Sequence, residues 1–213
     1  RHAIVVLGEG ADVAGVLEVI DDFVARYVKE YDFYEQVART ATEKLAADLQ
    51  TAGVRCIVTS RAKSITRLRE KCQKRLVEKC YSTVEEIYED IIDLAGVRVA
   101  LYFPAEREIV DQRINHLFEV LEPRKNFPER DKSRPGAPRF EGYAATHYRV
   151  RLREENATEQ ENRYAAARLE IQVASVLMHA WSEVEHDLVY KPAEGELSGE
   201  ELALLDQLNG LVV

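Results

Sequence analysis

Two carboxylates and a set of basic side chains, spread over separate stretches, are the residues of this chain whose types could do chemistry. Glu170 lies inside the β-type run RLEIQVA (168–174), and Asp93 stands just ahead of a second such run, GVRVALYF (96–103). A carboxylate on a strand is ordinarily solvated, but two from separate elements can converge on a hard cation. Magnesium takes one or two protein carboxylates and fills its remaining positions with water and substrate phosphates. The basic residues point the same way. The formal net charge is -9, yet residues 61–79 hold eight Lys/Arg against two Glu, and residues 124–153 hold nine against three acids. Two basic segments in an acidic background suit a nucleotide phosphate chain held in a cleft, and in phosphoryl-type transfer positioning and charge neutralisation supply most of the catalysis. The alternative is a pair of solvated faces.

Alternation places these residues on faces. On THYRVRLR (146–153) the apolar set is Tyr148, Val150 and Leu152, which leaves His147, Arg149, Arg151 and Arg153 opposite. On RLEIQVA the apolar set is Leu169, Ile171 and Val173, opposed by Arg168, Glu170 and Gln172; on GVRVALYF, Val97, Val99, Leu101 and Phe103 oppose Arg98 and Tyr102. If these strands share one sheet, Arg98, His147, Arg149 and Glu170 line a single polar face. An ordinary half-exposed antiparallel sheet with salt-bridged residues would produce the same pattern.

Helices must flank that sheet. Leu17, Ile20, Phe23, Val24, Tyr27, Tyr31 and Tyr34 recur at three-to-four spacing without an interrupting proline, which predicts a helical region over 12–50, ended by Gly53. A strand follows at 54–61 and a basic helix at 64–80. Ser82 and Thr83 with Glu85 and Glu86 give a capping-box start to a short helix. A helix is expected over 105–118, a short strand over 119–125 and a long loop over 126–142, rich in proline, glycine and charge, of the kind that is usually functional or mobile. The strands 143–153 and 164–174 form a hairpin with an extended polar tip, followed by helices over 174–190 and 197–211. In the first of these, Leu177, Met178, Trp181, Val184 and Leu188 form a core stripe beside a polar stripe of His179, Glu183, His186 and Tyr190. The seven-residue spacing of His179 and His186 is not that of a zinc site.

The chain's 213 residues, 46% of them hydrophobic, suffice for one proper core. No uninterrupted apolar run is long enough to span a membrane, and the start lacks the apolar length of a signal peptide. Cys56, Cys72 and Cys80 form no CxxC pair, which favours reduced thiols in a cytosol-like compartment, so a cytoplasmic location is expected. The acidic balance argues against a generic nucleic-acid coat.

Several segments, from about residue 40 to residue 191, together resemble the RelA/SpoT-type (p)ppGpp synthetases. SRAKSITRLREK is similar to their R-x-K-x-x-x-S-[IL]-x-x-K element at Arg61, Lys63, Leu68 and Lys71, and DLAGVRV to their Asp-x-x-(Gly)-x-Arg strand at Asp93, Gly96 and Arg98. KNF with GYAATH resembles K-D-Y…G-Y-x-S-x-H, and LEIQVASVLMHAWSEVEHDLVYK resembles the closing E-I-Q-I-R-T…Y-K. The resemblance implies an α+β fold with a mixed, largely antiparallel nucleotidyltransferase-like sheet flanked by helices. Residues 1–50 would be an N-terminal helical region packing on the core, 51–191 the synthetase domain and 192–213 a C-terminal helix, in a stand-alone small synthetase or an excised synthetase domain. It implies transfer of pyrophosphate from ATP to the ribose 3′-hydroxyl of GDP or GTP, with Asp93 and Glu170 holding Mg²⁺ and Glu170 acting on the hydroxyl. Arg61 and Arg98 would sandwich the adenine, and Lys63 and Lys71 would meet the ATP phosphates. On the acceptor side, Tyr143 would stack on guanine, with Lys125, His147, Arg149 and Gln172 nearby. Small relatives are often homo-oligomers. The departures are Arg67 for Ser, Ala174 for Arg, Asn126-Phe127 for Asp-Tyr and Ala145 for Ser, with an unusually long loop after Phe127. Most fall on the acceptor side, which leaves open another acceptor, an adenosine nucleotide or a tRNA 3′ end, or a non-catalytic nucleotide- or RNA-binding module.

Overall fold

Apolar side chains at helical spacing carry the first helix, α1 (Val13–Thr51), through 39 residues. The structure, a computed structural model, describes residues 13–75, 79–127, 144–185 and 197–212. Helix α1 ends where only glycine is comfortable: Gly53 adopts φ +76°, and the amides of Gly53 and Val54 return to the carbonyls of Gln50 and Leu49, both at 3.0 Å. This left-handed cap satisfies two orphan carbonyls and turns the chain into the sheet, with Val54 and Leu49 buried together.

The elements that follow are β1 (Cys56–Ala62), α2 (Ile65–Arg75), α3 (Val84–Asp90), β2 (Ala95–Leu101), α4 (Arg107–Leu117), β3 (Phe118–Val120), β4 (Lys125–Phe127) and β5 (Ala145–Leu152). After these come α5 (Asn162–Ala165), β6 (Leu169–Ser175), α6 (Val176–Glu185) and α7 (Gly199–Val212). The sheet order is β1-β2-β6-β5-β3, with β4 also pairing with β5. Among the described strands, β2 and β6 alone run parallel; the other pairs are antiparallel. The expected α+β architecture, mixed and mostly antiparallel, is the one observed.

One face of the sheet is core. Val97, Val99, Leu101, Leu169, Ile171, Val173, Tyr148 and Val150 pack against Val37, Ala41, Leu45 and Leu49 of α1 and Val110 and Ile114 of α4. The N-terminal half of α1 buries Ile20, Phe23, Val24 and Tyr27 in a second cluster with Leu68 and Cys72 of α2 and Ile87 of α3. One helix therefore braces both the back of the sheet and the basic helix α2.

Several boundaries differ from the sequence expectation. The single strand expected at 119–125 is two short ones, β3 and β4, which follow each other along the same edge of β5. Pro123 lies between them and cannot donate to a ladder. Asn126 and Phe127 belong to β4 and not to a loop; the rest of that loop, 128–142, lies outside the described residues. Strand β1 begins at Cys56, and β2 stops at Leu101, which leaves Tyr102 and Phe103 exposed beyond it. The segment 162–165 is helical, so β6 starts only at Leu169; β6 then runs to Ser175, which delays α6 to Val176. Of the helix expected at 174–190, residues 186–190 lie outside the described residues.

Candidate active site

Register partners in a sheet present their side chains to the same face, and two rows cross the polar face of this one. The first is Arg61, Gly96, Glu170 and Arg149 on β1, β2, β6 and β5; the second is Thr59, Arg98, Gln172 and His147, continued by Lys125 on β4. The face predicted from alternation therefore forms, and it brings Arg61, Arg98, Glu170, Gln172, His147, Arg149 and Lys125 together. Gly96 stands between Arg61 and Glu170 in the first row, and a Cβ there would make only ordinary contacts, at 3.7 Å to the Arg61 carbonyl and 3.8 Å to the Arg61 Cγ and the Glu170 carbonyl.

Asp93 sits in the turn that enters β2, three residues before the register partner of Glu170. Lys63 Nζ donates to its Oδ2 at 2.5 Å and Lys71 Nζ to its Oδ1 at 2.8 Å. Burial works against the ionised form of Asp93, but the two ammonium groups outweigh it and bring the pKa down to about 2. The Lys63 pKa is lowered in turn, chiefly by burial. The backbone at Lys63 is pinned from two sides, with its amide donating to the Leu94 carbonyl at 2.9 Å and its carbonyl accepting the Tyr27 hydroxyl of α1 at 2.7 Å. Lys71 is aimed by α2, whose Leu68 and Cys72 are buried on the adjoining face.

Glu170 is half-buried. Gln172 Nε2 donates to its Oε1 at 2.7 Å, and His147 Nδ1 lies 3.4 Å from the same oxygen. Burial opposes its charge, yet the hydrogen bond and charge of His147, with help from Gln172, hold its pKa below the ordinary glutamate value. The charge of Asp93 acts on it in the opposite sense, as a like charge does.

At the other end of the face, α6 folds back over the sheet. Glu183 Oε1 pairs with Arg98 Nη1 at 2.5 Å, and His179 Nε2 lies 3.3 Å from the Val99 carbonyl. Burial resists the charge of Glu183, but Arg98, Arg61 and Arg67 together keep its pKa low. The Arg61 pKa is lowered by burial and by the like charge of Arg98. Glu183 and Arg67 lie within the matched motifs, Arg67 as a departure, but were given no role there; the polar stripe of α6 held the signal for Glu183. Two departures from the motifs are also explained here, because Ala145 and Ala174 pack with Met178, Trp181 and Leu205 in one apolar cluster.

On the acceptor side, Arg149 Nη1 donates to Glu122 at 2.7 and 3.0 Å, and Phe127 lies against the His147 ring at 4.5 Å between centroids. A cavity of ≈ 830 Å³ is lined by Arg75, Lys79, Asp90, Glu122, Lys125 and Arg149, the last being the register partner of Glu170, which does not itself line it. Tyr143 lies outside the described residues.

The donor set decides which metal these residues could hold. Among the described residues, no three His, Cys, Asp or Glu side chains form a metal-holding group. Two carboxylates do not fit a structural zinc, but they fit a magnesium ion that draws its other ligands from water and phosphate. Cys56, Cys72 and Cys80 are free thiols, and no described helix is long and apolar enough to cross a membrane.

Residues 60–195 match the sequence model described as a region found in RelA / SpoT proteins. A GTP pyrophosphokinase family protein from Streptococcus pneumoniae has a similar structure, with a TM-score of 0.65 at 21% identity over 88% of this chain and 87% of that one. Small alarmone synthetase 1 from Bacillus subtilis bound to its product pppGpp gives 0.60 at 19% identity, over 84% and 87%. The same protein bound to AMPCPP gives 0.61 at 18%, over 88% and 90%. No curated protein matches the chain.

Proposed function

The chain belongs to the RelA/SpoT family, and from that premise we propose that it transfers the β,γ-pyrophosphate of ATP to the ribose 3′-hydroxyl of GDP or GTP, releasing AMP and making (p)ppGpp. The observation that supports this reading is Glu170 on the polar face of β6, with Asp93 in the turn that enters the neighbouring strand β2, three residues ahead of the register partner of Glu170, and Lys63 and Lys71 paired with Asp93. A likeness to proteins crystallised with AMPCPP and pppGpp supports nucleotides as ligands.

Arg61 on β1 and Arg98 on β2 would flank the adenine, a role suited to planar guanidinium groups. Glu183 offsets their mutual repulsion. Lys63 and Lys71 neutralise the donor's phosphates. Asp93 and Glu170 would hold Mg²⁺, which supplies charge neutralisation at the transferring phosphoryl group. Glu170, kept ionised by His147 and Gln172, accepts the proton of the 3′-hydroxyl as the O3′–Pβ bond forms and the bond from Pβ to the α-phosphate oxygen breaks. Lys125, His147, Arg149, Gln172 and Tyr143 hold the acceptor.

A second reading keeps the chemistry and changes the acceptor to an adenosine nucleotide or a tRNA 3′ end. It is left open by the departures from the motifs at Asn126 and Phe127, of which Phe127 lies against the His147 ring at 4.5 Å between centroids. Incubation with Mg²⁺, labelled ATP and each acceptor in turn, with mass detection, separates the two. The guanosine assignment requires a guanosine nucleotide heavier by one pyrophosphate, and label found only on adenosine nucleotides or tRNA would overturn it.

A further inference from the structure

We propose that the crevice between α1, α3 and the connection from α5 to β6 is a regulatory site for a small aryl carboxylate, a flat apolar ring carrying one anionic head. Its regulatory role rests on the reading of Asp93 and Glu170 as working residues; its capacity to bind does not.

The crevice encloses ≈ 290 Å³. The rings of Phe33, Tyr34 and Tyr88 line it from the two helices, and Ile91, Ile92 and Leu94 from the turn before β2. Contacts within the protein hold those rings before any ligand arrives. Tyr88 meets Phe23 edge-on at 4.8 Å between centroids, and its hydroxyl donates to Glu30 Oε2 at 2.6 Å. Tyr34 packs on Tyr27 at 5.5 Å and Phe33 on Tyr164 at 5.5 Å. A preformed apolar space with a few placed polar groups is what small ligands occupy. This one suits a mono- or bicyclic ring and is far smaller than the ≈ 830 Å³ cavity on the acceptor side.

The charge in its lining selects the head group. Arg163 and Arg168 both line the crevice. In a chain of net charge -9, many arginines elsewhere pair with carboxylates, as Arg39, Arg69, Arg113 and Arg151 do with Glu43, Asp21, Asp48 and Glu119. Among the described residues, Arg163 and Arg168 have no such partner: Arg163 lies over the Tyr164 ring at 4.5 Å, and Arg168 Nη2 donates to the Tyr88 carbonyl at 2.7 Å. The remaining donors of the two guanidinium forks match a carboxylate in geometry and charge.

Occupancy reaches both carboxylates through the backbone. Ile92 and Leu94 are the chain neighbours of Asp93, and Arg168 stands two residues ahead of Glu170 while its bond to the Tyr88 carbonyl ties α3 to the approach to β6. A ligand with its ring on Ile92 and Leu94 and its head on Arg168 fixes the two segments that lead to Asp93 and Glu170. Segments fixed beforehand cost less to order when the donor nucleotide arrives, so the two ligands raise each other's affinity by the same factor.

The test uses the full chain and para-(trifluoromethyl)benzoate, its binding read from fluorine NMR line broadening, with the neutral para-(trifluoromethyl)benzamide for comparison. The wild type should bind the benzoate about 10-fold more tightly than the benzamide, and Arg163→Gln and Arg168→Gln should each weaken the benzoate by about 10-fold. Arg151→Gln, at a paired arginine outside the crevice, should leave it unchanged. Arg163 is exposed, so its variant decides the matter even if Arg168→Gln folds poorly. No binding of the benzoate, equal binding of the two probes, or benzoate binding unaffected by Arg163→Gln overturns the site. In a second measurement, saturating benzoate should tighten the binding of the non-hydrolysable ATP analogue AMPCPP with Mg²⁺ several-fold in the wild type; an unchanged affinity overturns the regulatory role. A wild type that binds no AMPCPP even without the benzoate would instead overturn the proposed function, which the fluorine measurement does not depend on.

Discussion

Replacing Asp93 by Asn should lower stability by roughly 2 kcal/mol at neutral pH, and the loss should fade on acidification. The Asp93 pKa stands at about 2 in the folded protein against an ordinary 3.8. Burial alone would raise it; Lys63 and Lys71 reverse the sign. Each unit of difference corresponds to about 1.36 kcal/mol, which gives the roughly 2 kcal/mol figure. A carboxylate whose folded pKa is depressed contributes stability above its unfolded pKa and loses it as pH falls through the folded one. The contribution is therefore complete above about pH 4, falls to about half near pH 3, and is gone near pH 1. Asparagine mimics the protonated carboxyl, so the difference between the two proteins should follow that curve. Urea unfolding of wild type and Asp93→Asn between pH 7 and pH 3 measures it, and the shift in melting temperature at neutral pH should be on the order of 5 °C. Equal stability at pH 7, or a difference that does not shrink toward pH 3, would refute the electrostatic account of this carboxylate.

Tyr27→Phe removes the hydroxyl that holds the Lys63 carbonyl; it should cost about 1 kcal/mol in thermal or urea unfolding and lower kcat more than it raises the ATP KM. Arg67→Ser restores the residue of the motif that SRAKSITRLREK resembles and removes one of the three arginines around Glu183. It should raise the ATP KM several-fold with little change in stability, read from steady-state kinetics and a melting curve. An unchanged KM would place Arg67 outside the donor site.

Strand faces were legible because the period of two leaves little choice: Val97, Val99, Leu101, Leu169, Ile171, Val173, Tyr148 and Val150 all point to the core. That arrangement placed Glu170, Arg98, His147 and Arg149 on one floor. What alternation could not carry was long-range. The split of the edge into β3 and β4 turns on Pro123 and on the Glu122–Arg149 pair, whose partners are 27 residues apart. The pairing of Glu183 with Arg98 depends on α6 folding back over the sheet, which no local pattern states. Nor does the sequence reveal that the two lysines would sit on Asp93 itself; their number and spacing fit equally well with an exposed basic helix. The substitutions at 145 and 174 read as losses of polar function until they are seen packing together under Met178 and Trp181.

The central claim is that Glu170 works on the acceptor's hydroxyl while the donor is held elsewhere on the same floor. Product formation by wild type and Glu170→Gln, with ATP and GDP or GTP and with AMPCPP binding measured in parallel, tests it most directly. The account predicts AMP release and pyrophosphorylated guanosine product from the wild type, and a loss of turnover by about 100-fold or more in the variant with analogue binding within a few-fold. Turnover by Glu170→Gln at the wild-type rate would contradict it.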